Sequence, residues 1–442
     1  MSVSRTSTVS AFLAALALSV ASCAGGDGGG TNRGTDPQTD AENSPASWEG
    51  ETLDVWIMEG TNPDAEPFFD AVAKEFNAKT GATLDVQYIP WTAAHDKFVT
   101  SIAGDTGPDV AEVGTTWTPE FADAGALADL SERVEGSEVS GDLVEGLVTA
   151  GTADGALYGM PWYAGVRSIV YRADVFEDLG LEPPTTWDEW VEVGTAIKEA
   201  KPNMVAMPVI GESSYGVYPF IWGAGGEIAT ESDGTWTSQL DSPEARRGIE
   251  FYTGLATEHG LSTPAAVTWD ELELRDAFIK GDVAMMMSGS WTPKAIVAEN
   301  PELEGKLGAF TIPGPDGGHS PSFVGGSHLA VFESSDKQDL GWEFIELMST
   351  QEYATKWAEQ TTFFPGLESL LADLQQESDP LVAPFATQMV EAGRSVPVTP
   401  EWGQVEAKVT VPAMLQSILS GKKSVDDATA DAAAEMNEVL GS

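Results

Sequence analysis

The order of strands and helices after residue 50 is the feature that most constrains this fold. Residues 52–58 (TLDVWIM) predict a strand, and residues 65–79 then place apolar side chains on one helical face: Phe68, Phe69, Val72 and Phe76. The alternation continues with a strand at 82–89, a helix at 93–103 and a strand at 109–113. This repetition predicts a parallel sheet covered by helices on both faces.

The rest of the chain carries the same mixture of elements. Thr186 and Ser242 stand where helices are expected to begin, the first in a capping box and the second just before a proline. Residues 283–287 (VAMMM) predict a buried strand, and a last helix is expected from Ser424 to Leu440. Because the chain is long for one sheet, we expect an α/β protein with two lobes of similar size.

The single cysteine, Cys23, lies at the end of an apolar segment near the N-terminus. The segment follows Arg5 and covers about ten residues, roughly half of the ~20 that a membrane-spanning helix needs, so it predicts a secretory signal. Residues 20–23 (VASC) resemble a bacterial lipobox, which implies a lipoprotein signal peptide over residues 1–22 and a lipid anchor on Cys23. The alternative is an ordinary small residue beside a signal cleavage site.

Residues 23–49 follow as a predicted flexible tether. They are rich in Gly, Asp, Asn, Thr and Pro and hold few side chains for burial, so folding cannot offset their loss of conformational entropy. Without a second cysteine, the exported domain must fold without disulfides. Its core must come from the hydrophobic residues, which make up 42% of the chain.

The charge of the chain excludes one class of partner. There are 70 acidic and 22 basic residues, which give a formal net charge of −48 at pH 7. A nucleic-acid-binding protein needs clustered Lys and Arg side chains to replace the counterions of the phosphates. DNA and RNA are therefore excluded as partners, and the dispersed acidic residues predict a solvated surface.

Catalytic and cofactor motifs are missing from the sequence. There is no HExxH or Cys–His spacing for zinc, and the four histidines are scattered: His95, His259, His319 and His328. A GxSxG elbow, a GxxxxGK(S/T) phosphate loop and a GxGxxG after a strand are also absent. We therefore expect no enzyme, no metal and no cofactor. An exported glycosidase stays open as the alternative, because it needs only two facing carboxylates.

Tryptophan is abundant in this chain. Several of the 14 tryptophans lie beside Pro, Gly or polar residues in predicted loops: Trp91, Trp117, Trp162, Trp291 and Trp402. An open α/β sheet binds its ligand at the loops that follow its strands. A sugar ring packs its C–H face on an indole while its hydroxyl groups bond to polar side chains. We expect carbohydrate binding, with packing in the core as the alternative for each ring.

Six motifs in sequence order carry a resemblance to a known family. They are VWIMEGTN (55–62), TGPDV (106–110), EFADAGAL (120–127), YGMPWYAGVRSIVY (158–171), FIKGDVAMM (278–286) and SFVGGSHLA (322–330). With the N-terminal signal, they resemble the family 1 extracellular solute-binding proteins of ABC sugar importers, of the maltodextrin- and chitobiose-binding type. Residues 322–326 and 400–402 are most similar to actinobacterial binders of chitobiose-like sugars.

The resemblance implies a two-lobed fold of the periplasmic-binding-protein type (type II), in which each lobe is a sheet flanked by helices. Lobe one would comprise residues 50–163 and 328–363, and lobe two residues 166–326 and 367–442. Hinge segments would join the lobes near residues 162–167, 326–328 and 364–366.

The resemblance also implies where a ligand would bind. The family's ligand positions correspond here to residues in strand-end loops and hinge segments: Glu59, Gly60, Asn62, Trp91, Trp117, Trp162, Arg167, Tyr218, Trp291, Glu401 and Trp402.

Proteins of this family capture a carbohydrate outside the cell and deliver it to the permease subunits of an ABC transporter. The resemblance thus implies a monomeric binding protein for a di- or oligosaccharide, lipid-anchored at the extracellular face of the membrane. A polyamine or a peptide remains the alternative ligand, although a polyamine would favour acidic side chains over neutral aromatic rings. The sequence does not fix the sugar, whether chitobiose, a maltodextrin, trehalose or another.

Overall fold

The computed structural model of the protein describes residues 48–60, 62–374 and 379–441. Its strands in chain order are β1 (Thr52–Glu59), β2 (Thr83–Pro90), β3 (Val110–Gly114), β4 (Thr152–Ala153), β5 (Ala156–Leu157), β6 (Met160–Arg172), β7 (Ala229–Ser232), β8 (Thr235–Ser238), β9 (Met285–Gly289), β10 (Leu307–Phe310), β11 (Ser322–Val331), β12 (Phe364–Pro365) and β13 (Gly393–Arg394).

The helices are α1 (Glu66–Thr80), α2 (Trp91–Gly104), α3 (Thr118–Asp123), α4 (Ser131–Glu135), α5 (Glu145–Gly151), α6 (Ala173–Leu179), α7 (Trp187–Ala200), α8 (Tyr218–Gly223), α9 (Pro243–Thr257), α10 (Glu271–Ile279), α11 (Thr292–Glu299), α12 (Gln338–Met348), α13 (Gln351–Thr361), α14 (Glu368–Leu374), α15 (Ala383–Ala392), α16 (Glu401–Ala407), α17 (Thr410–Leu419) and α18 (Val425–Leu440). Two short 3-10 helices lie at Pro264–Thr268 and Pro301–Leu303.

The predicted parallel unit is confirmed. β1 pairs in parallel with β2 on one side and with β3 on the other, and α1 and α2 connect these strands in sequence. Helix α1 buries the four predicted side chains of its apolar face, Phe68, Phe69, Val72 and Phe76. Helices therefore cover the sheet where the apolar periodicity predicted them.

The predicted helix starts are also confirmed, because each is capped by its own side chain. Thr186 accepts a hydrogen bond from the backbone of Glu189, and Ser242 accepts one from Ala245. Ser424 caps the last helix in the same way, through Asp427. Each cap satisfies a backbone N–H group that the first turn of a helix leaves without a partner.

The other strands of the large sheet pair in antiparallel order, except β13, which pairs in parallel with β11. The sheet runs β10-β6-β11-β3-β1-β2, with β9 and β12 also paired to β6, and β13 paired to β11. β6 changes partners midway: residues 160–166 pair with β11, and residues 167–171 pair with β9. β11 pairs with β6 over residues 324–329 and, along its other edge, with β3 over residues 327–331. These two long strands connect otherwise separate parts of the sheet.

The apolar core contains two large buried clusters in different parts of the chain. One buried cluster joins β1 and α1 to α12 and α13, around Phe69, Phe344 and Trp357. Another joins α7, α8 and α9 to the three C-terminal helices, around Trp190 and Phe220. The described residues pack as one unit. In them, no helix is long and apolar enough to cross a bilayer.

Candidate functional site

The first group of candidate residues lies at the carboxyl ends of β1, β2 and β3. Because β1, β2 and β3 are parallel, their carboxyl ends share one edge of the sheet. This edge carries residues that we call the strand-end cluster: Glu59, Gly60, Asn62, Trp91 and Trp117. The centroids of the Trp91 and Trp117 rings are 5.4 Å apart with the planes inclined at 56°.

Glycines allow Trp91 to approach this edge closely. A Cβ atom on Gly60 would lie 3.3 Å from Cδ1 of Trp91, and one on Gly114 would lie 3.4 Å from its Cζ3. Both separations are tight for a side chain, so the indole uses space that these residues leave open. Trp91 and Trp117 both remain partly accessible, as a binding surface requires.

A second group, the arginine cluster, consists of Arg167, Tyr215 and Trp291. The Arg167 guanidinium carbon lies 4.1 Å from the centroid of the Tyr215 ring and 5.6 Å from that of Trp291. Phe323 stacks against Tyr215 with centroids 4.8 Å apart, so the tyrosine ring is fixed by its neighbours.

An acidic side chain compensates the charge of Arg167. Glu271, the first residue of α10, accepts hydrogen bonds from Nε (3.1 Å) and Nη2 (3.2 Å) of Arg167. The hydroxyl group of Ser213 donates to the same carboxylate at 3.0 Å. A two-point bond of this kind fixes the plane of the guanidinium group as well as its position. Arg167 therefore presents its remaining N–H groups in a defined direction.

Trp291 occupies the space above two glycines. It is 9% exposed, and a Cβ atom on either Gly165 or Gly289 would overlap its indole ring. Its ring also lies 4.7 Å from that of Phe363. The turn after β9 thus holds the tryptophan against β6.

Glu406 of α16 joins the two clusters, and no sequence pattern pointed to this residue. Its Oε2 accepts hydrogen bonds from Thr116 Oγ1 (2.8 Å) and Trp117 Nε1 (3.1 Å), and its Oε1 accepts one from the Tyr215 hydroxyl (3.1 Å). Burial raises the pKa of Glu406, while the hydrogen bonds from these donors act in the opposite direction. A lone glutamate one turn beyond Trp402 gave no sequence signal, because its donors come from distant segments.

Arg275 of α10 makes a further contact with the strand-end cluster. Its Nη1 donates to the carbonyl oxygen of Gly60 at 3.4 Å, and its Nη2 pairs with Glu299 at 3.2 Å. This contact links the loop after β1 to the helix that carries Glu271.

Three predicted ligand residues are almost completely buried. Trp162, Tyr218 and Trp402 are exposed by only 3%, 1% and 0%. Trp162 stacks on Trp357 with centroids 5.0 Å apart, and Trp402 belongs to the cluster around Trp190. Protein side chains cover these rings in this structure, so each of the three contributes to packing.

Glu401 begins α16 and accepts a hydrogen bond from the Thr399 hydroxyl group. Cys23 and the predicted signal and tether up to residue 47 lie outside the described residues. Among the residues that are described, no group of three or more His, Cys, Asp or Glu side chains is arranged to hold a metal ion.

The buried carboxylate of Glu112 connects several strands of the large sheet by hydrogen bonds. Glu112 of β3 is 1% exposed and accepts hydrogen bonds from the Met58 backbone (2.8 Å), Ser327 Oγ (2.7 Å) and the Tyr163 hydroxyl. Burial raises its pKa to about 7, against the effect of these donors. Tyr163 and Ser327 belong to β6 and β11, so one carboxylate connects both long strands to β3.

His328 of β11 is a second buried titratable residue near these strands. Its Nε2–H donates to the carbonyl of Leu147 at 2.9 Å, and its Nδ1 accepts from the Thr118 hydroxyl at 2.8 Å. Burial lowers its pKa to about 4, so the ring is neutral at physiological pH. The carbonyl partner fixes the tautomer, and the histidine acts as a structural link between β11 and α5.

Comparison with known proteins gives the same family as the sequence motifs. The sequence profile described as "Bacterial extracellular solute-binding protein" matches residues 60–355. The diacetylchitobiose-binding protein DasA of Streptomyces coelicolor is 31% identical over 94% of this chain and 94% of its own length. An arabinooligosaccharide-binding protein of Halalkalibacterium halodurans is 25% identical over 70% of this chain and 69% of its own.

Solved structures share the fold. An ABC transporter solute-binding protein of Thermotoga lettingae, bound to α-D-tagatose, superposes with a TM-score of 0.80 at 27% identity, over 88% of this chain and 100% of its own. The cyclic α-maltosyl-1,6-maltose-binding protein of Arthrobacter globiformis superposes with a TM-score of 0.70 at 28% identity, over 88% of this chain and 98% of its own. The fold is therefore the two-lobed α/β fold of these proteins, with flanking helices and hinge segments. This chain belongs to the bacterial extracellular solute-binding protein family of ABC sugar-binding proteins.

Proposed function

We propose that this protein captures a di- or oligosaccharide outside the cell and delivers it to the permease subunits of an ABC transporter. In this proposal it is a monomer and has no enzymatic activity. A lipid on Cys23 holds it at the extracellular face of the membrane. Diacetylchitobiose is the first candidate ligand, because the Streptomyces relative named for that sugar matches nearly the whole chain.

One observation carries the proposal. The strand-end cluster supplies the partly exposed indoles of Trp91 and Trp117, and the arginine cluster supplies Trp291 beside the oriented guanidinium group of Arg167. Aromatic faces next to directed polar groups match a sugar ring, which has apolar C–H faces and a rim of hydroxyl groups. A cationic polyamine would meet the guanidinium group of Arg167, and the carboxylate of Glu271 is already bonded to that group.

The two clusters fall in the two lobes that we propose, residues 50–163 with 328–363 and residues 166–326 with 367–442. The partner change of β6 supports a hinge near residues 162–167, and the beginning of the pairing between β11 and β3 at residue 327 supports one near 326–328. The pairing of β12 with residues 163 and 164 supports a third near 364–366. Ligand contacts from both lobes would exist together only in a closed state, so sugar would favour closure.

A thermal-shift screen followed by calorimetry tests the ligand. The purified domain is screened with diacetylchitobiose, maltotriose, arabinotriose, lactose and spermidine. A ligand at 100 times its dissociation constant adds about 2.7 kcal/mol to the free energy of unfolding. Stabilisation by an oligosaccharide is expected, and stabilisation by spermidine alone would overturn the proposal.

Prolonged incubation with the sugar that binds separates binding from catalysis. Chromatography should return the sugar intact. Release of shorter sugar beyond one equivalent of protein would identify a glycosidase instead.

Replacement of Cys23 by Ser tests the anchor in cells. The Ser variant lacks the sulfur that would carry the lipid, so protein should move from the membrane fraction to the medium or stay unprocessed. Identical fractionation and migration of the two proteins would contradict a lipid anchor.

A further inference from the structure

The carboxylate of Glu406 has an unusual set of partners. It accepts hydrogen bonds from Thr116 Oγ1 at 2.8 Å, Trp117 Nε1 at 3.1 Å and Tyr215 OH at 3.1 Å. Thr116 and Trp117 follow β3, whereas Tyr215 precedes α8 and Glu406 itself lies in α16. One side chain thus binds two donors from one proposed lobe and one donor from the other.

These bonds fix the orientation of side chains at the candidate site. The bond to Nε1 fixes the Trp117 indole, which faces Trp91, and the bond to the hydroxyl fixes Tyr215, on which Arg167 lies. A hydrogen bond to a charged acceptor is stronger than a neutral one. Separation of the lobes would break the bonds from Thr116 and Trp117 and keep the bond from Tyr215.

Adjacent packing supports the same geometry. Gly403, one turn before Glu406, lies so close to Glu120 of α3 that a Cβ atom there would overlap the Glu120 carboxylate. Glu120 is in turn bonded to His95 at 2.8 Å. Helix α16 therefore rests directly on the lobe-one surface beside the site.

We propose that Glu406 is a positioning residue that holds the closed arrangement of the two lobes and sets the orientation of the Trp117 ring for sugar binding. This inference rests on the proposed function for its ligand, but the bridging contact itself does not. Because only the closed arrangement binds tightly, the apparent affinity scales with the closed fraction, and loss of the bridge lowers both.

A double-mutant cycle tests the bridge. Glu406→Ala and Thr116→Val are made singly and together, and the dissociation constant for diacetylchitobiose is measured by calorimetry. We expect Glu406→Ala to weaken binding at least about tenfold and Thr116→Val about threefold. The double variant should be no more than about twofold weaker than Glu406→Ala, because the threonine has already lost its acceptor. Effects that multiply would overturn the proposal.

Small-angle scattering provides a readout that needs no ligand. Glu406→Ala should enlarge the radius of gyration relative to wild type, whereas Gln404→Ala, an exposed residue on the same helix, should leave it unchanged. Glu406→Gln keeps the size of the side chain and serves if the alanine variant does not fold. It should give an intermediate radius, because it keeps one acceptor oxygen and loses the charge.

The two proposals fail in different ways. If wild type binds none of the sugars but Glu406→Ala opens the protein, the sugar proposal fails and the bridge stands. If wild type binds sugar but the radius and the cycle show no coupling, the bridge fails and the sugar proposal stands.

Discussion

The indole ring of Trp291 packs directly on the backbone of Gly165, so closely that a side chain at residue 165 would overlap it. Gly165 lies in β6 and Trp291 follows β9, the strand that pairs with β6 from Arg167 onwards. The ring therefore covers the point where the long strand passes between its two sets of partners. The Trp291 ring leaves no room for a side chain at residue 165 or at residue 289, and both residues are glycine.

The first prediction concerns this contact. Gly165→Ala should displace the Trp291 ring, because the added methyl group occupies its place and the ring is held by Phe363. Overpacking of this kind costs about 1–3 kcal/mol, so we expect roughly tenfold weaker sugar binding and a lower melting temperature. Calorimetry and thermal unfolding measure both effects. Gly146→Ala, at an exposed helical site with open space around it, is the matched control; it should leave the affinity unchanged and should not lower the melting temperature, since alanine favours a helix more than glycine does.

The second prediction concerns the contact between α16 and α3. Gly403→Ala places a methyl group against the Glu120 carboxylate, which its bond to His95 keeps in position. The lobes should then close less completely, with sugar affinity reduced about tenfold. Adding Glu120→Ala removes the obstacle and should restore most of the affinity. If the double variant binds no better than Gly403→Ala alone, the overlap is not the cause.

The third prediction concerns pH and Glu112. Its pKa rises from the ordinary value of 4.5 to about 7 on folding. The folded state therefore favours the neutral carboxyl group of Glu112. The stability that this group contributes is fully present below pH 4.5 and is lost as the pH rises through 7. The loss approaches about 3 kcal/mol at alkaline pH, at 1.36 kcal/mol per pKa unit.

Urea unfolding of wild type and Glu112→Gln at pH 5 and pH 8.5 measures this effect. The glutamine variant lacks the titration, so its stability relative to wild type should rise by about 2.5 kcal/mol between the two pH values, because a small part of the loss has already occurred at pH 5. His328, whose pKa is lowered to about 4, is present in both proteins and cancels from the difference. A difference that is constant with pH would show that Glu112 keeps its charge at little cost.

The fourth prediction concerns backbone strain at Val409, between α16 and α17. Its φ of 50° lies in the left-handed region, which a β-branched residue avoids, and its side chain is 56% exposed. Val409→Asn should therefore stabilise the protein by about 1 kcal/mol, since asparagine accepts this conformation and little apolar burial is lost. Chemical denaturation measures the change. The same substitution at Val390, an exposed position within helix α15, should give no gain.

Local sequence patterns determined much of the fold. The strands and helices between residues 52 and 114 could be placed to within two residues, and their parallel pairing followed from the alternation alone. The caps at Thr186, Ser242 and Ser424 were readable because a cap bonds to a backbone group only a few residues away. The family resemblance also rested on such short segments, taken in order.

Only the tertiary structure shows which aromatic rings are accessible and which are buried. Trp91, Trp117, Trp162 and Trp402 all stand next to Pro, Gly or polar residues in the sequence, yet the first two remain partly accessible and the last two are buried. The difference depends on what packs over each ring, and Trp357, which covers Trp162, is almost 200 residues away in the chain. Glu406 was invisible for the same reason, because its role depends on donors from Thr116, Trp117 and Tyr215. Periodicity and capping report contacts within one element, whereas burial and bridging depend on the register and packing of elements that are distant in sequence.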